Sequence, residues 1–164
     1  PIIFIIITSL IYTIIKHIFH IEEGYIKQEG LEKSAIGDIV KWMQEHYGYA
    51  NIIMGVFIAF WLKLFFKKYG YNFYEILIML CFTIGISMLF YAIFSLFEGI
   101  LHIKLFKVGA MLGAIYVVWA SANFFEEKKP INYLKALVSL LLGAITYEII
   151  IFVIGISIDL INRH

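Results

Sequence analysis

The sequence predicts an all-α integral membrane protein: a polytopic bundle of about five transmembrane helices with one short interfacial amphipathic helix. Of the 164 residues, 62% are hydrophobic and only 15% are charged, and the mean hydropathy is +0.90. A soluble domain is closer to half apolar and a quarter charged. The apolar residues also form segments without a polar face, each long enough to cross a hydrocarbon core of about 30 Å.

Five such segments divide the chain, and we expect them to form a single transmembrane domain. None shows the alternation, over about ten residues, that a membrane β-barrel requires. A continuous apolar segment in lipid must satisfy its own backbone hydrogen bonds, which favours a helix. The predicted spans are residues 1–19, 51–67, 73–98, 106–125 and 133–158, with an extramembrane segment at 20–50.

Two stretches with a similar order of residues separate neighbouring spans. In FFKKYGYNFYEIL (65–77), Asn72 and Glu75 have the spacing of a capping box, which predicts the start of the third span. In FFEEKKPINYLKAL (124–137), a proline precedes Asn132, which we expect to cap the fifth span. Both stretches predict helical hairpins. An internal repeat explains their likeness, and so do two independent solutions to the same turn.

Lysines near the hairpin tips predict the orientation, because cytoplasmic loops are enriched in Lys and Arg. The tips at 63–72 and 126–132 are basic, whereas the segment 20–50 has more acidic than basic residues. We therefore expect a bacterial cytoplasmic membrane protein with both tips in the cytoplasm and the segment 20–50 outside. The lysines at or beside the tips are Lys63, Lys67, Lys68, Lys128, Lys129 and Lys135.

Residues 31–50 predict a short amphipathic helix. Ile36, Val40 and Met43 fall on one face at helical spacing, and Ser34 is placed to cap the first turn. We expect this helix to lie on the bilayer surface or to pack over the span ends. A lid over a substrate site is the alternative.

The stretch KKYGYNFYEILIMLCF (67–82) resembles a bacterial family of unknown function that joins a zinc ribbon to a membrane domain. A second pattern also fits that family, and the layout is distantly similar to the Yip-type five-helix membrane proteins. The resemblance implies a fold and a membrane location, and no reaction. The ribbon's paired CxxC motifs do not occur here, where the one cysteine is Cys81. The second pattern consists of Tyr116, Trp119, Ala120, Phe124, Phe125 and Lys128.

Glu148 is the strongest functional candidate in the sequence. It lies about 24 Å along the fifth predicted span at 1.5 Å per residue, which is beyond the membrane midplane. Ionisable groups at such depth are costly, and they often serve in proton relay, ion binding or substrate pairing. The alternative is a structural hydrogen bond between helices. The candidate partners for that bond are Thr83, Tyr91, Tyr116 and Thr146.

A second polar group gathers at the outer ends of two spans. Glu98 and His102 lie at the end of the third span, and His17 and His20 lie at the end of the first. Such a group suits proton transfer or the binding of a divalent cation. Charged residues at span ends, however, often only extend their side chains into water. Two histidines one helical turn apart need further ligands to hold a metal. We therefore expect no metal site here.

Small residues form a stripe on the fourth span. Gly109 with Gly113 and Ala110 with Ala114 are small-xxx-small pairs, which allow close approach of another helix. That helix belongs either to the same chain or to a second copy in a homo-oligomer.

The sequence favours a non-enzymatic scaffold or accessory subunit of a membrane complex, in contact with lipids and other membrane subunits or a second copy. The alternatives are a small transporter or channel that uses Glu148, and a lipid-modifying enzyme at the outer interface. No broken-helix Pro or Gly pair supports a transporter, and no catalytic or cofactor motif occurs. The chain has 13 basic and 12 acidic residues, so its net charge is only +1. We therefore expect no nucleic-acid partner.

Overall fold

The structure, a computed structural model, describes residues 1–19, 34–126 and 129–162. Over these residues the chain forms α-helices and one 3-10 turn, with no strand, so the predicted all-α class is confirmed. The helices are α1 (Ile2–Ile18), α2 (Ala35–Glu45), α3 (Tyr47–Phe65), α4 (Phe73–Leu101), α5 (Phe106–Glu126) and α6 (Pro130–Asn162).

Four of the described helices, α3 to α6, are long and apolar enough to cross a membrane. α1 is also apolar, but its 17 residues make it the shortest of the predicted spans. At 1.5 Å per residue it is about 26 Å long, near the lower limit for crossing a bilayer. The described chain therefore has the architecture of a helical bundle inserted in a membrane.

The four long helices pack as a closed ring. Short turns join α3 to α4, α4 to α5 and α5 to α6, so that consecutive helices are antiparallel neighbours. α6 packs against α3 and completes the ring. α1 lies outside the ring against α4 and α3, and α2 packs against α6 and α3.

An aromatic pair joins the two hairpin tips. Phe66 and Phe125 stack with ring centroids 4.0 Å apart and planes 10° apart, and both are buried. Beside them, the Tyr69 hydroxyl donates to Glu126 Oε2 at 2.7 Å. Asn132 Nδ2 donates to the Tyr69 oxygen at 3.0 Å and to the Glu126 carbonyl at 3.1 Å. We call these five residues the tip clasp.

The predicted capping box is present at the start of α4. Asn72 Oδ1 accepts a hydrogen bond from the Glu75 backbone N–H at 2.9 Å, and Glu75 Oε2 accepts one from the Asn72 N–H at 2.8 Å. Just before it, Gly70 has a φ of +76°, in the left-handed region that glycine enters without strain. Local sequence therefore determines both the reversal and the helix start.

The predicted cap at Asn132 is wrong. α6 begins at Pro130, because the fixed φ and missing N–H of proline suit the first position of a helix. Asn132 lies in the first turn, fully buried, and its side chain belongs to the tip clasp.

Lysine side chains lie at the end of the bundle that carries the hairpin tips. Lys63 donates to the backbone carbonyl of Tyr71, and Lys135 donates to a carbonyl of α3 at 3.4 Å. Lys129 forms an ion pair with Glu126 at 2.9 Å, and hydrogen bonding to this carboxylate raises the pKa of Lys129. Charged side chains at these helix ends fit a boundary between hydrocarbon and water.

The second predicted span begins earlier than expected, at Tyr47 rather than at residue 51. Tyr47 packs edge-on against Tyr12 of α1, with ring centroids 5.2 Å apart. At Gly48 of α3, a Cβ atom would lie 2.6 Å from Ser9 Oγ of α1. A neighbouring helix, rather than local hydropathy, makes these residues part of the span.

Replacing Phe125 with alanine is expected to lower the free energy of unfolding by about 3 kcal/mol, because the buried stack is replaced by a cavity. Chemical unfolding in mild detergent, followed by circular dichroism, measures the change. Phe60→Ala is the matched control: this ring is 57% exposed, and the expected loss is below about 1 kcal/mol. Equal losses in the two variants would contradict the role of the clasp.

Candidate functional site

A cavity of about 330 Å³ lies among α2, α3, α4, α5 and α6. Small-molecule sites occupy about 300–1,000 Å³, so this cavity is at the lower end of their range. Its wall is mainly apolar. The polar residues that line it are Gln44, Tyr47, Asn51, Ser87, Tyr91, Tyr147 and Glu148. Among the described lining residues, Glu148 supplies the one carboxylate, and no Lys, Arg or His is present.

Glu148 is an exposed residue of the cavity wall, which places it at the mouth. On the same face of α6, Ile145 and Phe152 are half exposed. On α5, Ala114 lines the cavity and is exposed, and Met111 on the same face is more than half exposed. The mouth is therefore rimmed by apolar side chains.

The mouth lies deep along α6. Thirteen residues separate Glu148 from Lys135 of the tip end, which corresponds to about 20 Å of helix. The hydrocarbon core is about 30 Å thick. With Lys135 at one boundary, Glu148 lies inside the core and nearer to the opposite boundary.

Asn51 is a buried polar group of the cavity wall. Its side chain is 8% exposed, and its Nδ2 donates to Met88 Sδ at 3.4 Å, a weak acceptor. Within the described chain, its Oδ1 accepts no hydrogen bond. This amide oxygen is therefore available to a molecule in the cavity.

The structure joins Glu148 to none of its predicted partners, and Glu148 forms no hydrogen bond or ion pair with a described residue. Thr146 Oγ1 instead accepts from Trp61 Nε1 at 3.1 Å and donates to the Leu142 carbonyl at 2.6 Å. Tyr91 lines the same cavity as Glu148. The other three candidates, Thr83, Tyr116 and Thr146, do not line it.

Glu98 caps α5. Its Oε2 accepts hydrogen bonds from the backbone N–H groups of Leu105 at 2.8 Å and Phe106 at 2.7 Å. Such donors lack partners within the helix, and the helix dipole favours a negative charge beside them. His102 ends α4 with a φ of 55° and is exposed. Two residues of the predicted polar group, Glu98 and His102, thus contribute to the connection between α4 and α5.

The histidine pair of the first span is described only in part. His17 is exposed in the last turn of α1, and His20 lies outside the described residues. Within the described ranges, no three His, Cys, Asp or Glu residues are grouped so as to hold a metal ion.

The glycine stripe of α5 packs against α4 of the same chain. A Cβ at Gly109 would lie 2.7 Å from a side-chain atom of α4, and one at Gly113 would lie 2.9 Å from the Tyr91 ring. Ala110 packs beside this contact, and Ala114 lines the cavity. Intramolecular packing therefore accounts for both glycines.

α2 forms one wall of the cavity. Its predicted cap is present, since Ser34 Oγ accepts from the Gly37 N–H at 3.3 Å. Val40, Met43 and Gln44 of this helix line the cavity. The helix therefore packs over the spans, which is the second of its two predicted placements.

Two contacts fix α2 to the far end of α6. Ile36 sits so close to Gly155 that a Cβ there would lie 2.4 Å from Ile36 Cγ1. Asp159 Oδ1 accepts a hydrogen bond from the Ala35 N–H at 2.8 Å. The absence of a side chain at Gly155 thus makes room for α2 beside the cavity.

Comparison of the chain with protein-family models, with curated proteins and with solved structures finds no match. The resemblance to the zinc-ribbon membrane family and to Yip-type proteins stays a prediction.

Gln44 and Asn51 are among the lining residues that sequence reasoning did not single out. Both lie beside the predicted start of the second span, where a polar residue is typical of a helix end. The available signal was the side-chain amide of Asn51 at the start of a long apolar segment. It gains meaning only when α3 is known to begin at Tyr47, which puts Asn51 inside the helix.

Replacing Glu98 with alanine is expected to lower the free energy of unfolding by about 1–2 kcal/mol, because two N–H donors of α5 lose a charged acceptor. Thermal unfolding in detergent measures the change. Glu98→Gln keeps an acceptor oxygen and is expected to lose less. If neither variant differs from wild type, Glu98 does not stabilise the turn.

Replacing Gly155 with leucine is expected to displace α2, because a side chain at this position has no room beside Ile36. Hydrogen–deuterium exchange of residues 35–45 should become about tenfold faster. Ile156→Leu changes a neighbouring residue that is half exposed, and exchange should stay unchanged. Unaltered exchange in Gly155→Leu would show that α2 does not depend on this contact.

Proposed function

We propose that the protein is a small membrane carrier that binds a hydrophobic compound in the cavity and uses Glu148 as its polar anchor. One observation carries the proposal: a cavity of small-molecule size lies within the membrane domain, with a carboxylate at its mouth. Ionisable groups at this depth usually serve a substrate, an ion or a proton.

The nature of the wall favours a carrier over an ion channel. Ion pathways are lined by carbonyl oxygens or rings of charged side chains. This cavity is lined mainly by apolar residues, with Glu148 and Asn51 as isolated polar groups. Such a wall suits a compound that is largely hydrophobic.

The junction between α2 and α3 also borders the cavity. The helical conformation breaks at His46, with φ −125° and ψ 49°, between α2 and α3. Gln44, two residues before His46, and Tyr47, directly after it, both line the cavity.

A scaffold or accessory subunit is the second candidate function, and α6 favours it. In the apolar stretch of α6, 17% of residues are buried within the chain, against 61% in α4. Most of the α6 surface is therefore left for lipids or for another membrane subunit. Recovery of a stoichiometric partner from a mild-detergent pull-down would favour this function.

No observation favours the lipid-modifying enzyme, because the Glu98 carboxylate is engaged in capping α5. For the location we keep the proposal of a bacterial cytoplasmic membrane with the tips in the cytoplasm. The lysines at the tips support it.

Tryptophan in place of Ala144 is expected to fill the cavity and abolish binding of its compound. The protein is purified in mild detergent, and mass spectrometry identifies compounds that co-purify with it. Leu141→Trp is the matched control, because Leu141 lies one turn earlier on α6 and is 53% exposed outside the cavity. A compound should accompany wild type and Leu141→Trp and be lost from Ala144→Trp. Equal content in all three proteins would contradict the carrier.

A further inference from the structure

We propose that the cavity binds a membrane-soluble amine, with one ammonium group on a compact apolar body and no phosphate. This inference rests on the proposed carrier function and names the class of its substrate. It follows from the charges, the hydrogen-bonding groups and the surroundings of the cavity.

A cation is the partner that best matches the Glu148 carboxylate. A carboxylate that faces hydrocarbon is costly, and a paired cation offsets part of that cost. No Lys, Arg or His is found among the described lining residues. Lys16 lies 5.6 Å from the ring centroid of Tyr47, a lining residue, but Lys16 does not itself line the cavity. The cation is therefore expected to come from the bound compound.

The remaining polar groups also suit a hydrogen-bond donor. Asn51 Oδ1 is an acceptor without a partner in the described chain, and the Glu148 carboxylate accepts only. An ammonium group donates three hydrogen bonds and accepts none. Tyrosine rings, which attract cations through their faces, add to the match. The lining tyrosines are Tyr47, Tyr91 and Tyr147.

The same wall disfavours a phosphate. Phosphate groups are bound by Arg, Lys or exposed backbone N–H groups. The described wall offers no basic side chain, and Glu148 would repel a phosphate. The volume of about 330 Å³ is at the lower end of the range for small-molecule sites. That space fits a short alkyl chain or a small ring system better than a two-chain phospholipid.

The mouth indicates how the compound arrives. Ile145, Phe152 and Met111 around it are apolar and exposed, at a depth inside the hydrocarbon core. A compound that dissolves in the bilayer reaches this mouth without crossing a polar barrier. Methionines 43, 54 and 88 line the inside of the cavity, and their flexible side chains adapt to apolar bodies of different shape.

The test compares three probes with the same chain: octylamine, octanol and octanoate. Radiolabelled probe is bound to the full chain in phosphatidylcholine nanodiscs, and the signal of empty nanodiscs is subtracted. Wild type is expected to bind octylamine about tenfold or more tightly than octanol, and octanoate least, because one charge-assisted hydrogen bond is gained.

Variants assign the preference to Glu148. Glu148→Gln is expected to lose the preference for octylamine over octanol, because the amide carries no charge to pair with the ammonium group. Glu148→Asp keeps the charge and should keep a preference for the amine. Ala144→Trp should bind none of the probes, and Leu141→Trp should behave as wild type. Circular dichroism and sizing confirm that each variant is folded.

Three results would overturn the inference. They are equal binding of octylamine and octanol by wild type, no specific binding of any probe, and displacement of octylamine when phosphatidylethanolamine replaces part of the lipid. In each case the carrier function still stands if a native compound is lost from Ala144→Trp alone. If the native compound is equally present in wild type, Leu141→Trp and Ala144→Trp, the carrier function is contradicted as well. Failure of the amine preference and failure of the carrier function are therefore distinguishable.

Discussion

The stacked pair of Phe66 and Phe125 holds the two hairpins together, and the rest of the bundle depends on that contact. With the tips fixed, the end of α5 and the start of α6 lie side by side. Their far ends have different neighbours: Phe106 of α5 stacks near Tyr12 of α1, whereas Gly155 of α6 receives α2. A pair of helices joined at one end and attached to different neighbours at the other encloses a gap. The cavity occupies that gap.

Polar groups within the spans fall into two sets. Glu98, Asn132 and Thr146 are each engaged in a turn or a contact between helices, which is the usual use of a polar group in an apolar environment. The Glu148 carboxylate and the side-chain amide oxygen of Asn51 form no such turn or contact between helices. Because groups of this kind are costly in lipid, those that take no part in the architecture point to a molecule from outside the chain.

Features set by local sequence were predicted well, and those set by contacts between distant helices were not. The helical class, the span order and the capping box at Asn72 follow from hydropathy and short-range spacing. The early start of α3 and the burial of Asn132 depend on neighbouring helices, and spacing cannot show them. Glu148 stood out because a carboxylate inside a span is rare, but its cavity is formed by five helices and has no signature in any one of them.

α6 has 33 residues and is therefore about 50 Å long, well beyond the roughly 30 Å of a hydrocarbon core. A helix of this length tilts, protrudes or thickens the bilayer around it. The lysines at its start hold one end at the interface, so the distance of Glu148 from the opposite headgroups varies with the lipids present. In a thin bilayer the carboxylate lies closer to water, and in a thicker, sterol-rich bilayer it lies deeper in the hydrocarbon core. Hydrophobic mismatch thus links the environment of this one group to the membrane in which the protein resides.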